Sequence, residues 1–349
     1  MTLNDLDTPF LTADLDVVER NIARYQAYFD QHGIRARPHI KTHKLPVLAW
    51  KQVRAGAVGI ACQKVGEAEV MAQAGLPDIF IAYNIVGEQK LDRLAGVARQ
   101  CALSVAFDSE FTLRGYSRAA VKAGVPIGVL VEVDTGGKRA GVQTADEAVS
   151  LARLATELPG VDFRGLMTYP TAEQTAPLFE TIVSMLEWDG IPVPVRSGGG
   201  SPRQWRAHET PVCNEHRAGT NLYCDRNLVA TGAYGWEDCA LRVITTVVSR
   251  PTRDRMIIDC GSKTTTNDPH RTGDFHYFPD LPDARVERMS EEHGHCDVSR
   301  VEAPPAVGER LTLIPNHACG TTNMHDWVAL HRGGQVEAIV PIPARGKIR

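Results

Sequence analysis

The sequence predicts an α/β chain in which a (β/α)8 barrel of the TIM type is followed by a mostly β domain. Three observations predict it. From about residue 12 to 235 short apolar runs alternate with amphipathic stretches. Beyond 236 strand-like runs continue with no long helix between them. The 349 residues also exceed the roughly 250 that one such barrel takes, which leaves about a hundred for a second domain.

The barrel strands are expected at 34–40, 59–62, 79–82, 103–107, 127–133, 163–167 and 193–195. Amphipathic stretches at 17–29, 65–74 and 145–157 return an apolar residue every three or four positions, the helical period. Strand and helix in alternation imply parallel strands joined by crossover helices. Periodicity alone leaves an open doubly wound sheet as an alternative to the closed barrel. The second domain, 236–349, is expected to hold strands at 241–248, 255–259, 310–314 and 335–339, and the segment 1–11 could join it.

The composition, 43% hydrophobic and 23% charged, is that of an ordinary globular protein. A net charge of −4 supplies no basic surface for nucleic acid or anionic lipid. No apolar run approaches the roughly 20 residues of a membrane helix, and the first residues lack a signal-peptide pattern, so the expected location is the cytoplasm. Eight cysteines stand singly at 62, 101, 213, 224, 239, 260, 296 and 319, with no CxxC pair for a zinc ribbon. The expected partner is a small molecule.

Four segments carry chemistry. Lys41 lies where the first strand runs into a polar loop, and barrel active sites gather at the C-terminal ends of strands. Partly desolvated there, its amine is freed as a nucleophile, although a merely solvated basic loop would hold Arg37, Lys41 and Lys44 equally well. Ser197-Gly-Gly-Gly-Ser201 suits a phosphate, because Gly198, Gly199 and Gly200 let backbone N–H groups approach an anion while Ser197 and Ser201 add hydroxyl donors. His317 and Cys319 are spaced i, i+2, so an extended strand would present both on one face. Imidazole with thiolate favours zinc, and two ligands leave positions open; a buried cysteine beside an unrelated histidine is the plain alternative. Tyr169, at the end of the sixth expected strand, reads either as an active-site phenol or as a core tyrosine.

Arg37-Pro-His-Ile-Lys-Thr-His-Lys44 closely resembles the Schiff-base segment of the D-serine dehydratase and D-threonine aldolase group. That group belongs to fold type III, the alanine-racemase-like pyridoxal phosphate enzymes. The likeness runs on in order through Cys62-Gln-Lys-Val-Gly-Glu-Ala-Glu69, Val131-Glu-Val-Asp-Thr-Gly-Gly-Lys-Arg-Ala-Gly141, Gly165-Leu-Met-Thr-Tyr169, Ser197–Ser201 and Glu215-His-Arg-Ala-Gly-Thr220. The resemblance implies that Lys41, not Lys44, carries pyridoxal 5′-phosphate. It implies that Arg139 lies by the cofactor's phenolic oxygen, that Tyr169 flanks the ring, and that His39, Gln63 and Thr220 join the cofactor contacts. It further implies that His317 and Cys319 bind a divalent metal, zinc or manganese, with His293 of Ser290-Glu-Glu-His-Gly294 a further candidate nearby.

A β-hydroxy-D-amino acid is then the expected substrate, with the metal acidifying its β-hydroxyl. Retro-aldol cleavage to glycine and an aldehyde, as in a D-threonine aldolase, is the leading outcome. Dehydration of D-serine or 3-hydroxy-D-aspartate to a keto acid and ammonia is the alternative, and racemisation a second. The His-x-Cys pair leans to the dehydratases, whereas Asn323-Met-His-Asp326 and Pro343-Ala-Arg-Gly346 lean to the aldolases. Pro170-Thr-Ala-Glu173 departs from the glycine and histidine of relatives, and Asn221 stands where a tyrosine is expected. A homodimer is implied by the fold type.

Overall fold

A computed structural model describes all 349 residues and divides into two compact units. One gathers Met1–Ala23, Thr42–Lys44 and Thr220–Gly346; the other gathers Arg24–Lys41, Leu45–Gly219 and Lys347–Arg349. The chain opens with β1 (Phe10–Asp14), a strand of the first unit, and α1 (Leu15–Gln31), which runs from one unit into the other.

The second unit is the predicted barrel. Its parallel strands are β2 (Arg35–Ala36), β3 (Ile60–Cys62), β4 (Asp78–Ile81), β5 (Ala102–Phe107), β6 (Ile127–Glu132), β7 (Val161–Met167), β8 (Val195–Gly199) and β9 (Glu215–Arg217). They run in the order β2-β9-β8-β7-β6-β5-β4-β3. A parallel bridge from His39 to Ala61 returns the chain after β2 to β3, with Ile40 N–H donating to Ala61 O at 2.9 Å. β2 is shorter than the 34–40 run because Pro38 has no N–H to give the ladder. β9 left no apolar signature, since its Glu-His-Arg is polar throughout yet fully buried. β6 is buried on both faces, as a parallel strand under helices must be.

The helices α2 (Pro46–Arg54), α3 (Val65–Gln73), α4 (Glu88–Ala98), α5 (Glu110–Ala123), α6 (Ala145–Glu157) and α7 (Thr175–Trp188) separate the strands. Their ends are locally coded. Thr144 and Glu147 close a capping box on α6, and Ser109 caps α5, which ends on Gly124 in the left-handed region. Ala61, Phe80, Ala106, Leu130 and Met167 form one buried apolar cluster.

The first unit adds α8 (Arg226–Val229), β10 (Leu241–Thr252), β11 (Arg255–Ile258), β12 (Arg285–Met289), β13 (Gly294–Asp297), β14 (Arg310–Leu313), α9 (Ala318–Met324), β15 (Trp327–Arg332) and β16 (Gln335–Pro341). The sheet order is β12-β13-β11-β10-β1-β15-β16, with β14 also paired to β10. β1 completes this sheet, pairing antiparallel with β10 and parallel with β15. The four strands expected here are present; β12, β13 and β15 are additional. No helix is long and apolar enough to cross a membrane.

Gly165 shows how tightly β7 meets β8. Its φ is +133°, and a Cβ there would lie 2.0 Å from Val195 O. A Gly165→Ala variant is expected to lose about 3 kcal/mol of unfolding free energy in urea titrations. A loss under about 0.5 kcal/mol, the scale of ordinary surface changes, would contradict this packing.

Candidate active site

Lys41 ends the barrel segment that β2 begins. Its backbone N–H donates to His39 Nδ1 at 3.2 Å, and the other ring nitrogen of His39 lies 3.0 Å from Gln63 Oε1. Gln63 is fixed in turn, because its amide donates to Ala82 O and its backbone N–H to Glu67 Oε2. The imidazole and carboxamide therefore form a rigid brace beneath the lysine. The Lys41 amine stands 5.5 Å from the centre of the Tyr169 ring.

Arg139 shares that ring, its guanidinium 4.7 Å from the centre. The turn that bears it is built by Asp134, whose carboxylate accepts the N–H groups of Gly136 and Lys138, and by Gly141 at φ +110°. A Cβ on Gly141 would lie 2.6 Å from Asp134 N, so no other residue closes the turn. Glu132, buried at the end of β6, lies 3.6 Å from Arg139. Burial raises the pKa of Glu132, against the opposing pull of Arg139 and Arg217. Lys41, Arg139 and Tyr169 are thus one cluster, with Tyr169 open to solvent at 37% exposure rather than a core residue.

The glycine turn follows β8. Gly199 N–H donates to Thr171 Oγ1 and Gly200 N–H to Arg217 O, both at 2.8 Å. Cβ atoms on Gly198 and Gly199 would lie 2.5 Å from Thr171 Oγ1 and 2.8 Å from Arg217 O. Ser197 turns inward, donating to Glu215 Oε1 at 2.7 Å and accepting from Arg217. Ser201 accepts from Gly219 N–H at 3.4 Å and opens a 3-10 helix, Ser201–Glu209. Gly200 differs from its neighbours: at φ +129° its Cβ position meets nothing closer than 3.9 Å. Thr220 heads the short 3-10 helix Thr220–Leu222 in the other unit.

His317 and Cys319 do not sit on an extended strand, which corrects the reading from their spacing. His317 is the N-cap of α9 and Cys319 lies in its first turn. The reason is Asp225, a buried carboxylate that accepts Ala318 N–H at 2.9 Å and Leu228 N–H at 2.8 Å, so it starts α9 and caps α8 together. The pair is nonetheless brought together. A hydrogen bond with Cys319, helped by Asp268, pushes the His317 imidazole up to about 9. Asp268 Oδ2 lies 2.7 Å from His317 Nδ1, and Thr42 Oγ1 lies 3.0 Å from Cys319 Sγ. His293 lies in the turn between β12 and β13, in the segment 290–293. No group of three or more His, Cys, Asp or Glu side chains is arranged to hold a metal ion.

Sequence reasoning passed over Asp268, Asp225, Glu132 and Arg217. Arg217 is fully buried, donates to Thr168 O at 2.7 Å and stands 5.5 Å from the Phe80 ring. Only the dense charge of Glu215-His-Arg217 pointed toward it. Lys44 plays a structural part. It adopts φ 58°, is buried, and donates to Ala344 O at 3.4 Å.

The residues present fit a phosphorylated aldehyde cofactor. An amine with a cation beside it stands over an aromatic face, and Gly200 with the 3-10 helix amino end leaves room for an anion. The His317 and Cys319 donors suit an open divalent site, since a carboxylate on Nδ1 leaves Nε2 for a metal.

Residues 13–227 match the alanine racemase N-terminal domain family, and residues 240–331 a serine dehydratase-like domain family. D-threonine aldolase of Arthrobacter sp is 36% identical over 98% of this chain and 93% of its own length. 3-Hydroxy-D-aspartate aldolase of Paracoccus denitrificans is 32% identical over 99% and 94%. The solved structure of D-threonine aldolase from Filomicrobium marinum superposes with a TM-score of 0.93 at 32% identity, covering 100% of this chain and 98% of that one. D-threo-3-hydroxyaspartate dehydratase from Delftia sp. HT23 gives 0.87 at 28%, covering 97% and 98%.

If Asp268 orients the imidazole, Asp268→Asn will weaken zinc retention about 10- to 100-fold in competition with a chromophoric chelator. Equal retention by the variant would remove Asp268 from that role.

Proposed function

This chain belongs to the fold type III, alanine-racemase-like family of pyridoxal phosphate enzymes, and on that premise we propose a lyase of β-hydroxy-D-amino acids. The reaction is retro-aldol cleavage to glycine and an aldehyde, as in D-threonine aldolase. One observation carries the reading. In sequence the candidate cofactor lysine is followed at once by Thr42, whose hydroxyl lies 3.0 Å from the sulfur of the candidate metal ligand Cys319.

Lys41, Arg139 and Tyr169 would hold the cofactor ring, the Ser201 hydroxyl its phosphate in the room that Gly200 leaves open, and His317 and Cys319 the metal. When bound, pyridoxal phosphate supplies an electron sink next to the substrate's α-carbon, and the metal a Lewis acid for the β-hydroxyl. The protein's own part is orientation and charge. Arg139 presents a fixed cation, anchored by Glu132, to an oxygen anion beside Lys41. Tyr169 offers a flat face against which a ring can be held. His39 and Gln63 hold the peptide of Lys41, so that the amine swings on its side chain alone. In retro-aldol cleavage the β-hydroxyl loses its proton and the α-carbon gains one, and the freed Lys41 amine would be the group to supply the latter. Cys319, with Thr42 against its sulfur, and His317, with Asp268 on Nδ1, are pre-set donors rather than floppy ones.

Dehydration to a keto acid and ammonia is the second reading, favoured by the His-x-Cys pair itself. Two variants of D-threo-3-hydroxyaspartate dehydratase, one lacking a cysteine and in metal-free form, the other lacking a histidine two positions earlier, bear the same spacing. The aldolase reading takes precedence because the D-threonine aldolase structure is the nearer match of the two.

Purified protein with pyridoxal phosphate and zinc or manganese is expected to convert D-threonine to glycine and acetaldehyde. Lys41→Ala should lose the cofactor's visible absorbance and at least about 10³-fold in rate. Keto acid and ammonia from D-serine or 3-hydroxy-D-aspartate, without glycine, would establish dehydration instead. Absence of both products in a protein that still shows the absorbance would overturn the substrate class.

A further inference from the structure

The β-rich unit contains a cavity of about 260 Å³ that has no part in the site described above. It is lined by α8, by the segment around Trp236, and by the chain from His270 to Arg285. That volume is several times the roughly 30 Å³ share of one water molecule.

Its charges do not balance. Arg226, Arg271 and Arg285 line it, and Asp274 is the one carboxylate among the lining residues. Asp274 is already taken. It lies 3.0 Å from Arg226 Nη2 and accepts the Thr272 hydroxyl. Arg285 faces Asp297 across the β12–β13 ladder without closing an ion pair, and Arg271 makes none. Arg285 interacts with Asp297 through space, and both arginines reach solvent at the mouth of the cavity, which leaves Arg271 as the cation with no carboxylate paired to it.

A buried atom supplies an independent sign. His270 is 8% exposed and lines the cavity. Its Nδ1 is held 2.8 Å from Thr272 Oγ1, while its Nε2 is buried with no hydrogen-bond partner. A buried polar atom left so is destabilising, and a bound group that hydrogen-bonds to it would relieve this. One wall is flat and aromatic, where Trp236 and Tyr277 stack with centroids 3.8 Å apart.

We propose that this cavity binds a small oxyanion that keeps one acidic O–H, a hydrogen dicarboxylate or a hydrogen phosphate ester, between Arg271 and Arg285. That O–H donates to His270 Nε2, which is left an acceptor because Thr272 gives its own proton to Asp274. Arginine suits such a site because its planar fork matches carboxylate and phosphate oxygens in pairs. The aromatic pair limits the size of what enters and supplies a reporter.

The test uses protein loaded with pyridoxal phosphate, so that the glycine turn is filled, and without added divalent metal, which the probes would complex. Inorganic phosphate and malonate are titrated separately, with chloride at equal ionic strength as reference. The expected result is a saturable rise in Tm of about 2–4 °C with at least one probe. Tryptophan fluorescence should saturate at the same concentration and should stop responding in Trp236→Phe. In an Arg271→Gln/Arg285→Gln variant the half-saturating concentration should rise at least about tenfold. A response to phosphate alone assigns a phosphate ester, and one to malonate alone a dicarboxylate. No saturable shift with either probe, a shift that chloride reproduces, or an unchanged midpoint in the double variant would overturn the proposal.

Discussion

The barrel depends on one buried carboxylate. Glu215 begins β9 at 1% exposure and accepts from Arg37 Nε at 3.0 Å and from Ser197 Oγ at 2.7 Å. Ser197 in turn accepts from Arg217, and Arg37 continues to Asp78. Burial alone would raise the pKa of Glu215, but Arg37 and the Ser197 hydroxyl outweigh it and hold the group below the ordinary carboxylate value. One ionised oxygen pair thereby ties together the chain after β2 and the strands β8 and β9. Removing one partner of such a buried network leaves the others uncompensated, which is the costly way to disturb it. The glycine turn and Arg217 hang from this network, so the geometry around the candidate phosphate region follows from charge pairing within the barrel.

Much of this was legible in the sequence. The period-3.6 stretches at 65–74 and 145–157 and the apolar runs at 103–107 and 127–133 became α3, α6, β5 and β6 with little shift. Where a strand is polar the signal vanishes. β9 is Glu-His-Arg, β12 is Arg-Val-Glu-Arg-Met, and β13 is Gly-His-Cys-Asp, all held by ladder hydrogen bonds rather than by an apolar stripe. The sequence marks no strand at β1, although the segment 1–11 is one that could join the second domain; the partners of β1, β10 and β15, lie more than two hundred residues away.

The site was legible residue by residue, not in its supports. Lys41, Arg139, Tyr169 and the glycine turn stand out by local pattern. Asp268 and Asp225 lie 49 and 93 residues from His317 and Ala318; nothing local marks Asp268, and Asp225 is marked only as the N-cap of α8. The same blindness produced the one geometric error at His317 and Cys319. A spacing of two implies a shared face only if the backbone is extended, and a distant aspartate decided that it was not.

Lys44 shows what the fold does with a second amine three residues from the first. Its left-handed backbone turns the side chain away into the β-rich unit, where the ammonium donates to the Ala344 carbonyl at 3.4 Å with 7% of the residue exposed. Primary amines condense with aldehydes wherever they are accessible and unprotonated. An aldehyde reaching this segment therefore meets one available amine rather than two. The same burial keeps Lys44 out of reach of an aldehyde free in solvent around this segment.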